Sequence, residues 1–115
     1  LTITSPARPS TTVSINRGAD FTVQWSGGTS GLALVTASAA SNPNTFIECE
    51  VQASAGTATL PSTLLSMLAA GQGGIGITAW ASTTKDAGTW ALYFSLFYDS
   101  LWPDGTPASI AVTWN

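Results

Sequence analysis

A chain of 115 residues without a single histidine lacks the side chain that most often serves as general base and as metal ligand. Ser-His-Asp and Cys-His arrangements are therefore impossible, and the lone Cys49 has no evident activator. Structural zinc needs several thiolates or imidazoles, which this sequence does not hold. Carboxylates remain. Glu48 and Glu50 on a strand would share one face with side chains about 6–7 Å apart, close to the ~5–5.5 Å of a retaining glycosidase pair. The plainer reading is the solvated face of a strand, because no cleft pattern accompanies them. Asp99 and Asp104 flank a turn whose oxygens could hold calcium, yet they do not make the Asp-x-Asp-x-Asp-Gly loop. Gly71-Gln72-Gly73-Gly74 has no following lysine and reads as a hinge, not a phosphate cradle. These residues point away from an enzyme: no catalytic residue, no metal and no cofactor is expected.

The aromatic residues carry more. The chain has five tryptophans, and strand alternation places Trp25, Trp90 and Trp114 on inward faces, where packing accounts for them. Trp80 is out of phase with Ile75, Ile77 and Ala79, and Trp102 precedes Pro103 in a loop. Tyr93 and Phe97 lie on the face opposite Trp90, Leu92, Phe94, Leu96 and Tyr98. Exposed together, Trp80, Tyr93, Phe97 and Trp102 would form an apolar patch larger than a lone domain usually shows. Such a patch would stack on sugar rings or meet another protein.

Composition narrows the partner. Charged residues make up 8% of the chain, where about 25% is usual. The net charge of −3 includes only three basic residues, Arg8, Arg17 and Lys85. They cannot supply the footprint that phosphate backbones require, so nucleic acid is excluded as a partner; anionic membranes are disfavoured likewise. No apolar run approaches the roughly 20 residues of a membrane span. Leu1 opens directly in a strand-like pattern without a signal peptide, which reads as a mature or excised segment. A neutral polar surface suits extracellular β-proteins, repeat arrays and assembled subunits better than a dissolved cytosolic monomer. Cys49 cannot form an internal disulfide. Alternation places it with Ile47 and Val51, as a small buried hydrophobe; a link to another chain is the alternative.

The elements that must position these residues follow a period of two. Leu1 and Ile3 open a short strand stopped by Pro6 and Pro9; Val13 and Ile15 form another. Phe21, Val23 and Trp25 alternate with polar residues. The inner face of Leu32–Ala37 is left open between its two registers. Turn clusters fall at Ser26-Gly27-Gly28, Ser41-Asn42-Pro43-Asn44 and Pro103-Asp104-Gly105. Pro61 at the start, Gly71 at the end and apolar Leu64, Met67 and Leu68 predict one short helix near residues 61–69. A strand follows through Ile75, Ile77 and Ala79, then the aromatic strand, then Ile110, Val112 and Trp114. The expectation is an all-β fold of 7–9 antiparallel strands in a single domain over 1–115.

Four segments in order add a resemblance: Phe21–Gly28, the strand around Cys49, Thr59–Leu65 with Leu68-Ala69-Ala70-Gly71, and Ala108–Trp114. Together they resemble uncharacterised immunoglobulin-like domains of secreted bacterial surface proteins. The resemblance spans most of the chain, implies an immunoglobulin-like sandwich with a short helix between the sheets, and carries over no catalytic residue. The sequence departs from antibody-like domains in having no second cysteine, and its Trp90–Trp102 stretch is more aromatic than that pattern.

Two functions follow. One is a non-catalytic extracellular interaction domain, as a surface-array module or filament subunit, assembling with copies of itself or neighbouring domains through strand edges and an aromatic face. Here Leu1 and Ile3 belong to a segment, residues 1–5, that could be an edge strand or one exchanged between copies. The alternative is a carbohydrate-binding module that uses Trp80, Trp102 and Tyr93 as a stacking platform for polysaccharide.

Overall fold

The computed structural model describes residues Leu1–Asn115. Nine strands follow the alternation: β1 (Thr2–Ser5), β2 (Val13–Ile15), β3 (Phe21–Ser26), β4 (Leu32–Ala39), β5 (Asn42–Gln52), β6 (Thr57–Leu60), β7 (Gly71–Ala87), β8 (Trp90–Asp99) and β9 (Ile110–Trp114). A 3-10 turn, Ala53–Ala55, and one helix, α1 (Ser62–Leu65), complete the elements. The first sheet has the order β1-β3-β6. The second runs β2-β9-β7-β4-β5, with β8 also paired to β7. Most pairings are antiparallel, as expected, but β2 runs parallel to β9. The second sheet is thus mixed rather than wholly antiparallel.

One core lies between the sheets. Ile3, Val23, Trp25, Ala58 and Leu60 line it from the first sheet; Val35, Ile75, Ile77, Ile110, Val112 and Trp114 line it from the second. On β4 the inward register is Ala33, Val35, Ala37 and Ala39, all buried. These small side chains leave room for Trp25 and Trp114 to reach across. Each indole N–H is satisfied: Trp25 Nε1 donates to the Ala53 carbonyl at 2.8 Å and Trp114 Nε1 to the Ser38 carbonyl at 2.9 Å. Gly73 is required beneath Trp114, because a Cβ there would collide with both the indole nitrogen and the Ser38 oxygen.

Residues 1–5 pair within their own chain. Ile3 lies opposite Trp25, and its N–H donates to the Leu101 carbonyl at 2.9 Å. The helix is shorter than the span 61–69 predicted. After one turn the chain tightens into i→i+3 bonds, Met67 N–H to Leu64 O at 2.9 Å and Leu68 N–H to Leu65 O at 3.1 Å. Residues three apart line up in that geometry, so Leu65 and Leu68 both enter the core. Met67 and Leu64 are left outside. The Arg17 guanidinium donates to the Leu68 carbonyl and closes the turn.

The last feature is the longest. β7 has 17 residues, and its neighbours change along its length. Residues 71–75 pair with β9 and residues 73–80 with β4, whereas 78–87 pair with β8. Past Trp80 there is no strand on the β4 side and no sheet above. β7 and β8 continue as a two-stranded ribbon, reversed at Gly88-Thr89. Gly88 adopts φ +68°, the first-position glycine of a tight hairpin turn. The ribbon stretches the molecule to 54 × 31 × 20 Å and its radius of gyration to 15.7 Å, against about 13 Å for a compact domain of this length.

Candidate interaction surface

On β8, Trp90, Leu92, Phe94, Leu96 and Tyr98 share one face, and Ala91, Tyr93, Ser95 and Phe97 the other. The register sets Ala87, Lys85, Thr83, Ala81 and Ala79 beside the first row and Asp86, Thr84, Ser82 and Trp80 beside the second. Since Ile75, Ile77 and Ala79 share a face of the unbroken strand β7, the Trp90–Tyr98 row continues the core-facing side of the body. The phase expected from the sequence is correct for these residues, but their burial is not. Trp90 is 76% and Phe94 53% exposed, with Leu92, Leu96 and Tyr98 also exposed. The first sheet ends before it can cover them.

The expected exposed set divides. Trp80, Tyr93 and Phe97 share the ribbon's outer face, but Trp80 is half-buried and Tyr93 stands apart from the other two, beside Thr84. Phe97 stacks on Trp80 with ring centroids 6.1 Å apart and planes inclined by 19°, while Tyr93 is 80% exposed. Trp102 is 4% exposed and belongs to the core. The cause is a bridge the sequence did not signal: Leu101 pairs with Thr2, so residues 100–102 run extended, with Leu101 outward and Ser100 and Trp102 inward. Ser100 Oγ donates to the Ile77 carbonyl at 2.7 Å. Ile3, 1% exposed, is likewise in the core, and Leu1 packs against it half-buried. Neither offers a free surface. What the sequence reasoning missed was the hairpin that joins Trp80 to Phe97. Ala87-Gly88-Thr89-Trp90, a two-residue glycine turn between strand-like runs, was its signal.

The polar candidates are dispersed. Glu48 and Glu50 stand exposed on the outer face of β5. Cys49 is a half-buried free thiol packed against the core. Asp104 sits in a turn, where Thr106 donates to Oδ1 through its backbone N–H at 3.0 Å and its hydroxyl at 2.7 Å. These bonds hold its carboxyl below the ordinary aspartate value, and the Arg8 guanidinium, paired with Oδ2, adds to the effect. Asp20 is lowered as well, chiefly by the Ser62 backbone N–H that donates to it at 2.7 Å. Both carboxylates are thus engaged in local turn and helix-start bonds. No group of three or more His, Cys, Asp or Glu side chains gathers to hold a metal ion. The largest surface depression, about 400 Å³, has Arg8 as its one ionisable lining residue. No helix is long and apolar enough to cross a membrane.

Apolar surface is therefore what the ribbon concentrates. Weighted by their exposure, at ~150–250 Å² each when fully exposed, its seven exposed large side chains present roughly 600 Å² on the inner face and about 300 Å² on the outer, so the inner face alone reaches the upper end of the ~300–600 Å² of the largest patch on a typical monomer. Its charges are few. Lys85 lies on the inner face and Asp86 and Asp99 on the outer, and β8 has no lysine or proline to guard its open edge. Compared with known proteins, the chain matches no family model, no curated protein and no solved structure.

Proposed function

We propose that this chain is a non-catalytic, extracellular interaction domain with an immunoglobulin-like sandwich body, which assembles with copies of itself or with neighbouring domains through its ribbon. The observation that carries this reading is the double-sided apolar ribbon at residues 79–98. Such a surface is costly to leave in water, by about 25 cal/mol per Å², and is a hazard unless a partner covers it. The sheet orders support the immunoglobulin-like part: β1-β3-β6 and β9-β7-β4-β5 have the connectivity of the two-sheet variable-type sandwich without its fourth strand in the smaller sheet. In that scheme the ribbon elongates the connection before the last strand. The scarcity of charge favours an array module or filament subunit on the outside of a cell.

Sedimentation velocity across a concentration series tests the assembly. Concentration-dependent species larger than one chain are expected; a strictly monomeric chain at about 100 μM, weaker than typical specific complexes, overturns it. The Trp80–Phe97 stack with Tyr93, flanked by Ser82, Thr84 and Ser95, favours a second reading as a carbohydrate platform. Retention on insoluble polysaccharide, lost in Tyr93→Ala, would support that reading, and no retention on any polysaccharide retires it.

A further inference from the structure

Resting on the reading of the ribbon as a self-assembly element, we propose that two copies pair through the ribbon's inner face, antiparallel and face to face, about a twofold axis at Phe94 and Thr83. Three observations lead there. The inner row is the uncovered extension of the core, so the layer it lacks is another sheet with an apolar face. The surplus surface matches one partner's share: a monomer of this mass exposes roughly 5,900 Å², this chain exposes 6743 Å², and a standard interface buries about 800 Å² per partner.

The third observation is order. Trp90, Leu92, Phe94, Leu96 and Tyr98 read aromatic, leucine, aromatic, leucine, aromatic, the same in both directions. Across a twofold axis residue i meets residue j and j meets i, so this order sets like side chains against like. Turned about Phe94, the row sets Leu92 on Leu96 and Trp90 on Tyr98 of the second copy. On β7 the same axis sets Lys85 over Ala81, whose small side chain leaves space. Lys85, the one charge on this face, is on the open side of β7 and can extend its ammonium into water.

The body decides the direction. The ribbon leaves it at the end where Gly31 follows the β3–β4 loop, beside the Ala53 turn and Leu1. There the first sheet already occupies the layer above β7. A second ribbon arriving from the same end would run into it. Only one arriving tip-first from the far end fills the empty layer, which leaves the two bodies at opposite ends of a four-stranded, two-layer waist.

The test uses the full chain in sedimentation and in spin-label distance measurements, with Cys49→Ala as background for labelling. Phe94→Asp and Tyr93→Asp carry the same change on opposite faces of one strand, and circular dichroism checks that both stay folded. The expected result is a dimer for the parent and Tyr93→Asp, and dimerisation weakened at least about 100-fold in Phe94→Asp, the size of an interface hot spot. Labels at Ser95, near the axis, should lie within about 25 Å, and labels at Thr89, at the tip, beyond about 35 Å, given ~3.3 Å per strand residue and ~10 Å between layers. A monomeric parent overturns both this proposal and the self-assembly reading. A parent dimer that survives Phe94→Asp but not Tyr93→Asp overturns the inner-face pairing alone. Thr89 distances as short as those at Ser95 overturn the antiparallel arrangement.

Discussion

One strand, β7, takes part in two environments that share a pattern and differ in cover. Along residues 71–79 its alternation turns Ile75 and Ile77 into a core roofed by β1, β3 and β6. Along residues 81–87, joined to β8, the same alternation turns a row of leucines and aromatics toward the same side, where nothing from this chain lies. Alternation fixes which face a side chain takes. Whether that face is buried depends on a second layer, and the second layer is set by topology. The body is an apolar face with its roof; the ribbon is an apolar face awaiting one.

The sharpest way to break this comparison is to truncate an aromatic of each kind. Trp114→Ala, in the body, removes a fully buried indole and leaves the Ser38 carbonyl without its donor. It should cost about 3–5 kcal/mol in urea unfolding. Phe94→Ala, measured dilute enough to keep the chain monomeric, should change stability by no more than ~0.5 kcal/mol. Comparable losses in the two variants would mean that the ribbon packs on the body, and the comparison would fail.

A smaller effect sharpens the boundary between the regions. Trp80→Ala removes the stack on Phe97 where the ribbon leaves the body, and a pair of this kind contributes about 0.5–1.5 kcal/mol. Amide exchange should accelerate from Ala81 to Leu96 and stay unchanged at Ile75 and Val35. Acceleration throughout would show one cooperative unit rather than two.

Smaller still is the expected effect on the body of losing the ribbon. Replacing Ala81–Leu96 by Asn-Gly keeps Trp80 and Phe97 paired across a tight turn. The body should retain a cooperative transition within about 1 kcal/mol of the parent, since the excised residues bury nothing in the core. Its association should vanish. An unfolded product would tie the body's stability to the ribbon.

The contrast also explains how far the sequence could be read. Alternation located most strands, the inward faces of Trp25 and Trp114, and the phase of the Trp90–Tyr98 row. It could not show that Trp90 stays exposed, because cover comes from strands distant in the chain. Trp102 was misplaced for the converse reason: a single bridge between Leu101 and Thr2 drew a proline-flanked loop into the core. The predicted helix shrank because after one turn the chain tightens into i→i+3 bonds at Met67 and Leu68, a local choice that apolar spacing does not distinguish from a continued helix, since residues three apart share a face in both. Of the expected surface residues, Trp80, Tyr93 and Phe97 share one face, and Trp80 and Phe97 touch. They are local to one hairpin, where register is short-ranged; Leu1, Ile3 and Trp102 depended on long-range pairing.

The mildest prediction concerns a bond that belongs to the body alone. The Asp20 carboxylate accepts the Ser62 N–H at the start of α1, which lowers its pKa in the folded chain. A group with a depressed folded pKa stabilises the protein fully above its unfolded pKa, and that contribution is lost as pH falls through the folded one. Its window therefore opens as pH drops below 3.8, the ordinary aspartate value. Asp20→Asn keeps an acceptor oxygen without the charge, so its melting temperature should lie below the parent's at pH 7 and approach it on acidification past that point. Full exposure of the carboxylate keeps the shift small. The association measured by sedimentation should be the same in both proteins at pH 7, because Asp20 lies on the β2–β3 side of the body and the ribbon leaves from β7. A change in association on Asp20→Asn would mean that the helix end, not the ribbon, carries the contact.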